Sequence, residues 1–218
     1  VRPAPDLRVY LVTDAAQCRA RGRTVTDTVR AAVAGGATCV QVRAKDADGA
    51  DFLAQVCDVA NAVGELVPVL VNDRVDVYLA ARRLGAPVAG VHVGQRDLPA
   101  TVVRELIGDD AYLGLSAANP EALSAAAAEG ACDHVGVGAV RATATKADAP
   151  TGIGTDGVSR LAADIALPCV AIGGITPADL PALRAGGLAG AAVVSAICLA
   201  DDPRAAARRL RRAWEAAR

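Results

Sequence analysis

The residues of this chain that could do chemistry gather where short apolar runs end. Gln41, Arg43 and Lys45 alternate along one such end, so an extended backbone turns all three to the same side. An amide beside two cations suits an anion next to a hydrogen-bonding ring, although an arginine or lysine after a strand also serves as plain surface charge. One count weighs against the plainer use: of 23 basic residues only Lys45 and Lys146 are lysine. In an arginine background, a lysine points to a compact ammonium rather than a planar fork. Asn72 and Asp73 close the next run, and Asp97 follows the one after it. Two carboxylates at the ends of neighbouring strands can share Mg²⁺, which takes one or two carboxylates together with phosphate oxygens. Each aspartate also reads as a cap on the helix that follows it, and both uses stay open.

Ser116 ends a further run, and Asn119 already provides the next helix cap, so the serine hydroxyl is expected to be free for a ligand. A long loop over 139–155 carries Thr143, Ala144, Thr145 and Lys146. Hydroxyls beside an ammonium suit phosphate oxygens, and the glycine and proline later in the loop suit either a lid or a simple turn. Gly173 and Gly174 follow one late run; Val194 and Ser195 end the last. Glycine lets a phosphate approach the backbone closely. His92 and His134 read as hydrogen-bonded structural residues, with a catalytic role the other use of His92. Two anion sites emerge, which two phosphorylated substrates would fill.

These residues need a scaffold that brings strand ends together. β-Branched runs at 8–13, 38–43, 67–71, 90–93, 112–116, 134–138, 168–172 and 191–194 alternate with helical patterns at 24–34, 49–64, 74–83, 99–107, 120–129, 156–165, 177–185 and 203–217. Continuously apolar strands suit a parallel sheet covered on its outer face. Asn119, Thr176 and Asp202 each precede a proline, the pattern of a capping side chain before the first helical position. Eight repeated units, with no GxGxxG after the first strand, predict a closed (β/α)₈ TIM barrel over 1–218 as a single domain rather than an open doubly wound sheet. In such a barrel the active site is built at the C-terminal ends of the strands, where the residues above lie.

Composition narrows the function. The 218 residues carry 23 Lys+Arg against 24 Asp+Glu, a net charge of -1, so no broad basic face serves nucleic acid. The arginines at 204, 208, 209, 211 and 212 read as a solvated face of the last helix. The longest apolar run, 189–200, is too short to span a bilayer, and the apolar stretch at Tyr10–Val12 is too short for a secretory signal. Six cysteines with no CxxC pair read as buried reduced thiols, and a cytoplasmic protein is expected. No residue marks an oligomer interface, although a homo-oligomer is compatible with the sequence.

Seven motifs run in order along nearly the whole chain: Tyr10 to Asp14, Gln41 to Lys45, Val71 to Arg74, Gly90 to Asp97, Thr143 to Lys146, Ala171 to Ile175 and Val193 to Ile197. On these the chain resembles the thiamine phosphate synthase family. The resemblance implies a transferase that couples a hydroxymethylpyrimidine diphosphate to hydroxyethylthiazole phosphate with Mg²⁺, releasing diphosphate. It implies that Gln41, Val42, Arg43, Ala44, Lys45, Asn72, Ser116 and Lys146 hold the pyrimidine diphosphate. Arg43, Lys45 and Lys146 would stabilise the departing charge, and Asp73 and Asp97 would bind the metal. Thr143, Ala144, Thr145, Gly174, Val194 and Ser195 would hold the thiazole phosphate. The chain departs from the family pattern at Ala44 (usually glutamate), at Arg96 (usually acidic), and at Ala139 and Arg141 (usually proline and an aromatic). A thiazole tautomerase, a sugar-phosphate isomerase and a non-catalytic phosphate-binding barrel are the alternatives. Asp73, Asp97, Thr145 and Lys146 together argue against the tautomerase, and the intact set of charged strand-end residues against the non-catalytic barrel; binding of a sugar phosphate without a pyrimidine requirement would support the isomerase.

Overall fold

A computed structural model describes residues 4–142 and 152–216. Eight parallel strands close on themselves in sequence order, β1 (Val9–Val12), β2 (Cys39–Val42), β3 (Val69–Asn72), β4 (Gly90–Val93), β5 (Tyr112–Ser116), β6 (His134–Gly138), β7 (Cys169–Ile172) and β8 (Gly190–Val193), with β8 pairing back onto β1. Around them lie α1 (Ala15–Ala20), α2 (Val25–Ala34), α3 (Gly49–Val63), α4 (Val75–Arg83), α5 (Ala100–Ile107), α6 (Pro120–Glu129), α7 (Gly154–Ala162), α8 (Leu180–Ala185), α9 (Ser195–Cys198) and α10 (Pro203–Ala216). The expected TIM barrel is the observed architecture.

Alternation along each strand sorts the side chains into two cores. The larger lies between sheet and helices and takes Val9, Leu11, Val40, Val42, Val69, Val71, Val91, Val93, Leu113 and Val135 from the strands. The smaller fills the barrel interior with Tyr10, Val12, Cys39, Leu70, Val170 and Ala192. Strands buried on both faces explain why the runs are apolar without interruption.

Local chemistry fixes the helix starts. Thr24 accepts from the Asp27 amide at 3.0 Å, Asn119 from that of Ala122 at 2.8 Å and Asp202 from that of Ala205 at 3.0 Å. Thr176 and Asp179 cap reciprocally over the 3-10 turn Pro177–Asp179 that leads into α8. Two short helices were not anticipated. In α1 only Cys18 is buried, so no apolar stripe announces it, although Asp14 caps it by accepting from Gln17 at 2.9 Å. The other, α9, follows β8 directly and occupies what reads as plain loop. The helix expected at 156–165 runs over 154–162, beginning at Gly154, whose φ of +73° favours glycine.

Candidate active site

The C-terminal rim gathers most of the expected residues. Gln41 is buried inside the barrel and its amide Nε2 donates to the Tyr10 hydroxyl at 2.8 Å. One step nearer the rim, the Arg43 backbone N–H donates to Thr13 Oγ1 at 3.0 Å, tying the exits of β2 and β1 together. Tyr10 and Thr13 belong to the site's support, and sequence reading missed both roles; the Tyr10–Asp14 motif is the signal that held them. Val42 and Ala44 pack into the layer between sheet and helices, so their side chains face away from the barrel interior. Any contact they make with a ligand is through the backbone.

Asp73 sits in the left-handed region at φ +60°, one of the few conformations in which a short carboxylate side chain replaces glycine at modest cost. Its amide donates to the His92 carbonyl at 2.8 Å, and its carbonyl accepts from Val75 at 3.1 Å, which holds the turn. Burial, then the neighbouring Asp97 charge, pushes the Asp73 carboxyl above its ordinary value, while Asn72 and Lys45 pull it back. Four residues from three strand exits thus act on one another electrostatically. Neither aspartate caps a following helix by its side chain: α4 and α5 have no side-chain cap, and Asp97 Oδ2 instead accepts from the Gly94 amide at 2.7 Å. The capping alternative therefore falls for both.

Two adjacent carboxylates, one of them uncomfortable as an anion, form a donor set suited to a hard divalent cation. Among the described residues no cluster of three or more His, Cys, Asp or Glu side chains accompanies them. Two carboxylates leave room for the phosphate and water oxygens that Mg²⁺ retains.

Ser116 is not free as expected. Its Oγ lies 3.0 Å from His92 Nε2, and its carbonyl accepts from Gln95 Nε2 at 2.8 Å. The hydroxyl keeps capacity for further bonds, now with its orientation set by His92. The prediction that both histidines are hydrogen-bonded holds for His92 and fails for His134. That ring is fully buried, both of its nitrogens lack a partner among the described residues, and burial lowers its pKa to about 4. It packs edge-on against Tyr10, with ring centres 5.9 Å apart, and lies 5.5 Å from the His92 ring. Gly114 makes the space, since a Cβ there would come within 2.3 Å of His92 Nδ1 and 2.4 Å of His134 Nε2.

On the opposite side of the rim, Gly173 and Gly174 have φ of +99° and +62°. The Arg141 backbone N–H donates to the Gly173 carbonyl at 3.0 Å, and its guanidinium donates to the Gly174 carbonyl at 3.0 Å. That guanidinium also grips Asp179 in a fork, at 2.7 and 2.6 Å. The Arg141 guanidinium beside Asp179 holds its carboxyl at about 2, assisted by bonds from the Thr176 amide and hydroxyl. The arginine that departs from the family pattern is thus the clamp on the glycine loop. Ser195 opens α9 beside it, with Val194 at its N-cap. Thr143, Ala144, Thr145 and Lys146 lie outside the described residues.

Comparison with known proteins identifies the family and agrees with the fold. A family model described as thiamine monophosphate synthase matches residues 9–197. The thiamine-phosphate synthase of Corynebacterium efficiens is 44% identical over 211 residues, covering 96% of each chain. That of Xanthobacter autotrophicus is 45% identical over 218 residues, covering 99% of this chain and all of its own. The solved structure of thiamine phosphate pyrophosphorylase from Pyrococcus furiosus superposes with a TM-score of 0.84 at 32% identity, covering 98% of both chains. With its eight strands closed, its rim residues assembled and its length matched throughout, the chain belongs to the thiamine monophosphate synthase family.

Proposed function

We propose that this barrel works as the family does, joining 4-amino-2-methyl-5-(diphosphooxymethyl)pyrimidine to hydroxyethylthiazole phosphate to give thiamine phosphate and diphosphate. The observation that carries the reading is the Asp73 and Asp97 pair with Lys45 at its side, on the exits of β3, β4 and β2. A tautomerase acting on a thiazole phosphate alone has no use for that constellation.

In the reaction the bond between the pyrimidine's exocyclic methylene and the diphosphate oxygen breaks, its electrons leaving with diphosphate. The thiazole nitrogen then donates its lone pair to the methylene carbon. Gln41, fixed by Tyr10, and Ser116, oriented by His92, would hold the pyrimidine ring. Arg43 and Lys45, with Lys146, would face the growing negative charge, a preorganised field that needs no proton transfer. Asp73 and Asp97 would hold Mg²⁺, which when bound supplies Lewis acidity to the leaving diphosphate. Gly174, Val194 and Ser195, with Thr143, Ala144 and Thr145, would seat the thiazole phosphate and so bring its nitrogen to the pyrimidine. No described helix is long and apolar enough to cross a membrane, and six unpaired thiols support work in the reducing cytoplasm. We take residues 1–218 to act as one domain.

The test is diphosphate release by the purified protein with both substrates, with each omitted in turn, and with and without Mg²⁺. Release that requires both substrates and the metal, with thiamine phosphate formed, is the expected result. Saturable thiazole phosphate binding without release would sink the proposal.

A further inference from the structure

A cavity of about 380 Å³ opens between the glycine loop after β7, the start of α9 and the C-terminal helix α10. Gly174 and Ser195 line it on one side; Ala206, Arg209 and Leu210 line it on the other. The spacing explains the second wall. Positions 206, 209 and 210 share one helical face, where Ala206 and Leu210 are buried and anchor α10, leaving Arg209 at the open edge. Among the described residues lining the cavity, Arg209 is the sole charged side chain. It makes no hydrogen bond or ion pair with another described residue, whereas Arg211 on the same helix is paired with Glu215 and Arg141 is committed to Asp179.

We infer that Arg209 is a phosphate-binding residue of the thiazole side, the cation that lets the barrel select a phosphorylated thiazole over the bare alcohol. The inference rests on the placement of the thiazole phosphate at Gly174 and Ser195. A phosphate monoester is a dianion near neutral pH, and glycine amides and a serine hydroxyl satisfy its oxygens without balancing its charge. A guanidinium matches phosphate oxygens in geometry and charge at once. Arg209 is exposed, so it can meet the ligand without a rearrangement of the core. The solvated-face reading of the arginine-rich last helix then holds for its outer arginines but not for Arg209.

The experiment is steady-state kinetics on Arg209→Gln, Arg209→Lys and Ser195→Asp, each substrate varied in turn, with inorganic phosphate as a competitor of the thiazole phosphate. Arg209→Gln should raise the KM for thiazole phosphate by about 10-fold, the loss of one charge-assisted hydrogen bond. It should weaken inhibition by inorganic phosphate in parallel and leave kcat and the pyrimidine diphosphate KM within about twofold. Arg209→Lys should recover most of the loss, and the Tm of both variants should match the parent. If Ser195→Asp raises the thiazole KM and Arg209→Gln does not, Arg209 has no such role while the phosphate placement stands. If neither variant changes it, the placement itself is wrong and the inference falls with it. A fall in kcat from Arg209→Gln with the thiazole KM unchanged also overturns the inference.

Discussion

His134 gives the barrel an acid sensitivity whose size and pH window follow from its surroundings. The ring is wholly enclosed, neither nitrogen has a partner among the described residues, and burial lowers its pKa from 6.5 to about 4. Folded protein therefore keeps this imidazole neutral over a range in which the unfolded chain protonates it. Stability rises with pH wherever the unfolded state binds more protons, so the pH-dependent cost of His134 vanishes above pH 6.5 and grows progressively as pH falls towards 4. The gap converts, at about 1.4 kcal/mol for each pH unit, to roughly 3 kcal/mol. The described carboxylates held below their ordinary values, Asp6, Asp76, Asp179 and Asp202, act only below about pH 4. Asp73, which is raised, acts in the opposite sense. The perturbation is His134→Leu, close in volume and unable to titrate. Urea unfolding at half-unit steps from pH 7 to 4 should show the parent losing about 3 kcal/mol over this window and the variant losing much less. Equal pH slopes in the two proteins would refute the argument, because some other group would then carry the acid sensitivity.

The remaining predictions concern the rim and its supports. Asp73→Asn should lower kcat by at least about 10²-fold at saturating Mg²⁺ without lowering Tm, since it removes a buried carboxylate held above its ordinary value; diphosphate release and a thermal melt check both halves. Asp179→Asn should cost about 1–2 kcal/mol at pH 7, discounted for the half-exposed Arg141 partner. Because the folded carboxyl titrates at about 2, that difference should be present above pH 3.8 and vanish as pH falls towards 2, as urea unfolding at pH 7 and pH 2.5 would report. Gly114→Ala drives a methyl to within 2.4 Å of both histidine rings and should destabilise by about 2–3 kcal/mol, and by displacing His92 should also raise the pyrimidine diphosphate KM.

Eight strands and the closed barrel were legible because β-branched runs buried on both faces leave a continuous apolar signal. Asp73, Asp97, Gln41, Arg43, Lys45 and Ser116 were legible as candidate site residues because polar side chains at the ends of such runs stand out. What stayed hidden is pairing at long range. Arg141 and Asp179 are 38 residues apart and meet only because β6 and β7 are neighbours. The room for the His134 ring depends on Gly114, in the adjacent strand, lacking a side chain. Short helices such as α1 escaped because six residues with one buried position carry no period. The direction of Val42 and Ala44 was recoverable from alternation, since Gln41 between Val40 and Val42 points the other way, into the barrel.

The exposed ammonium of Lys45, beside Asp73 in a chain with only one other lysine, turns the rim into its own reporter. A reagent that acylates amines meets two lysine side chains in the whole sequence, and the surplus of arginines is silent to it. The mass gained on each lysine, followed with and without pyrimidine diphosphate, would give occupancy of the proposed pyrimidine diphosphate site directly from the unmodified protein, with no engineered label.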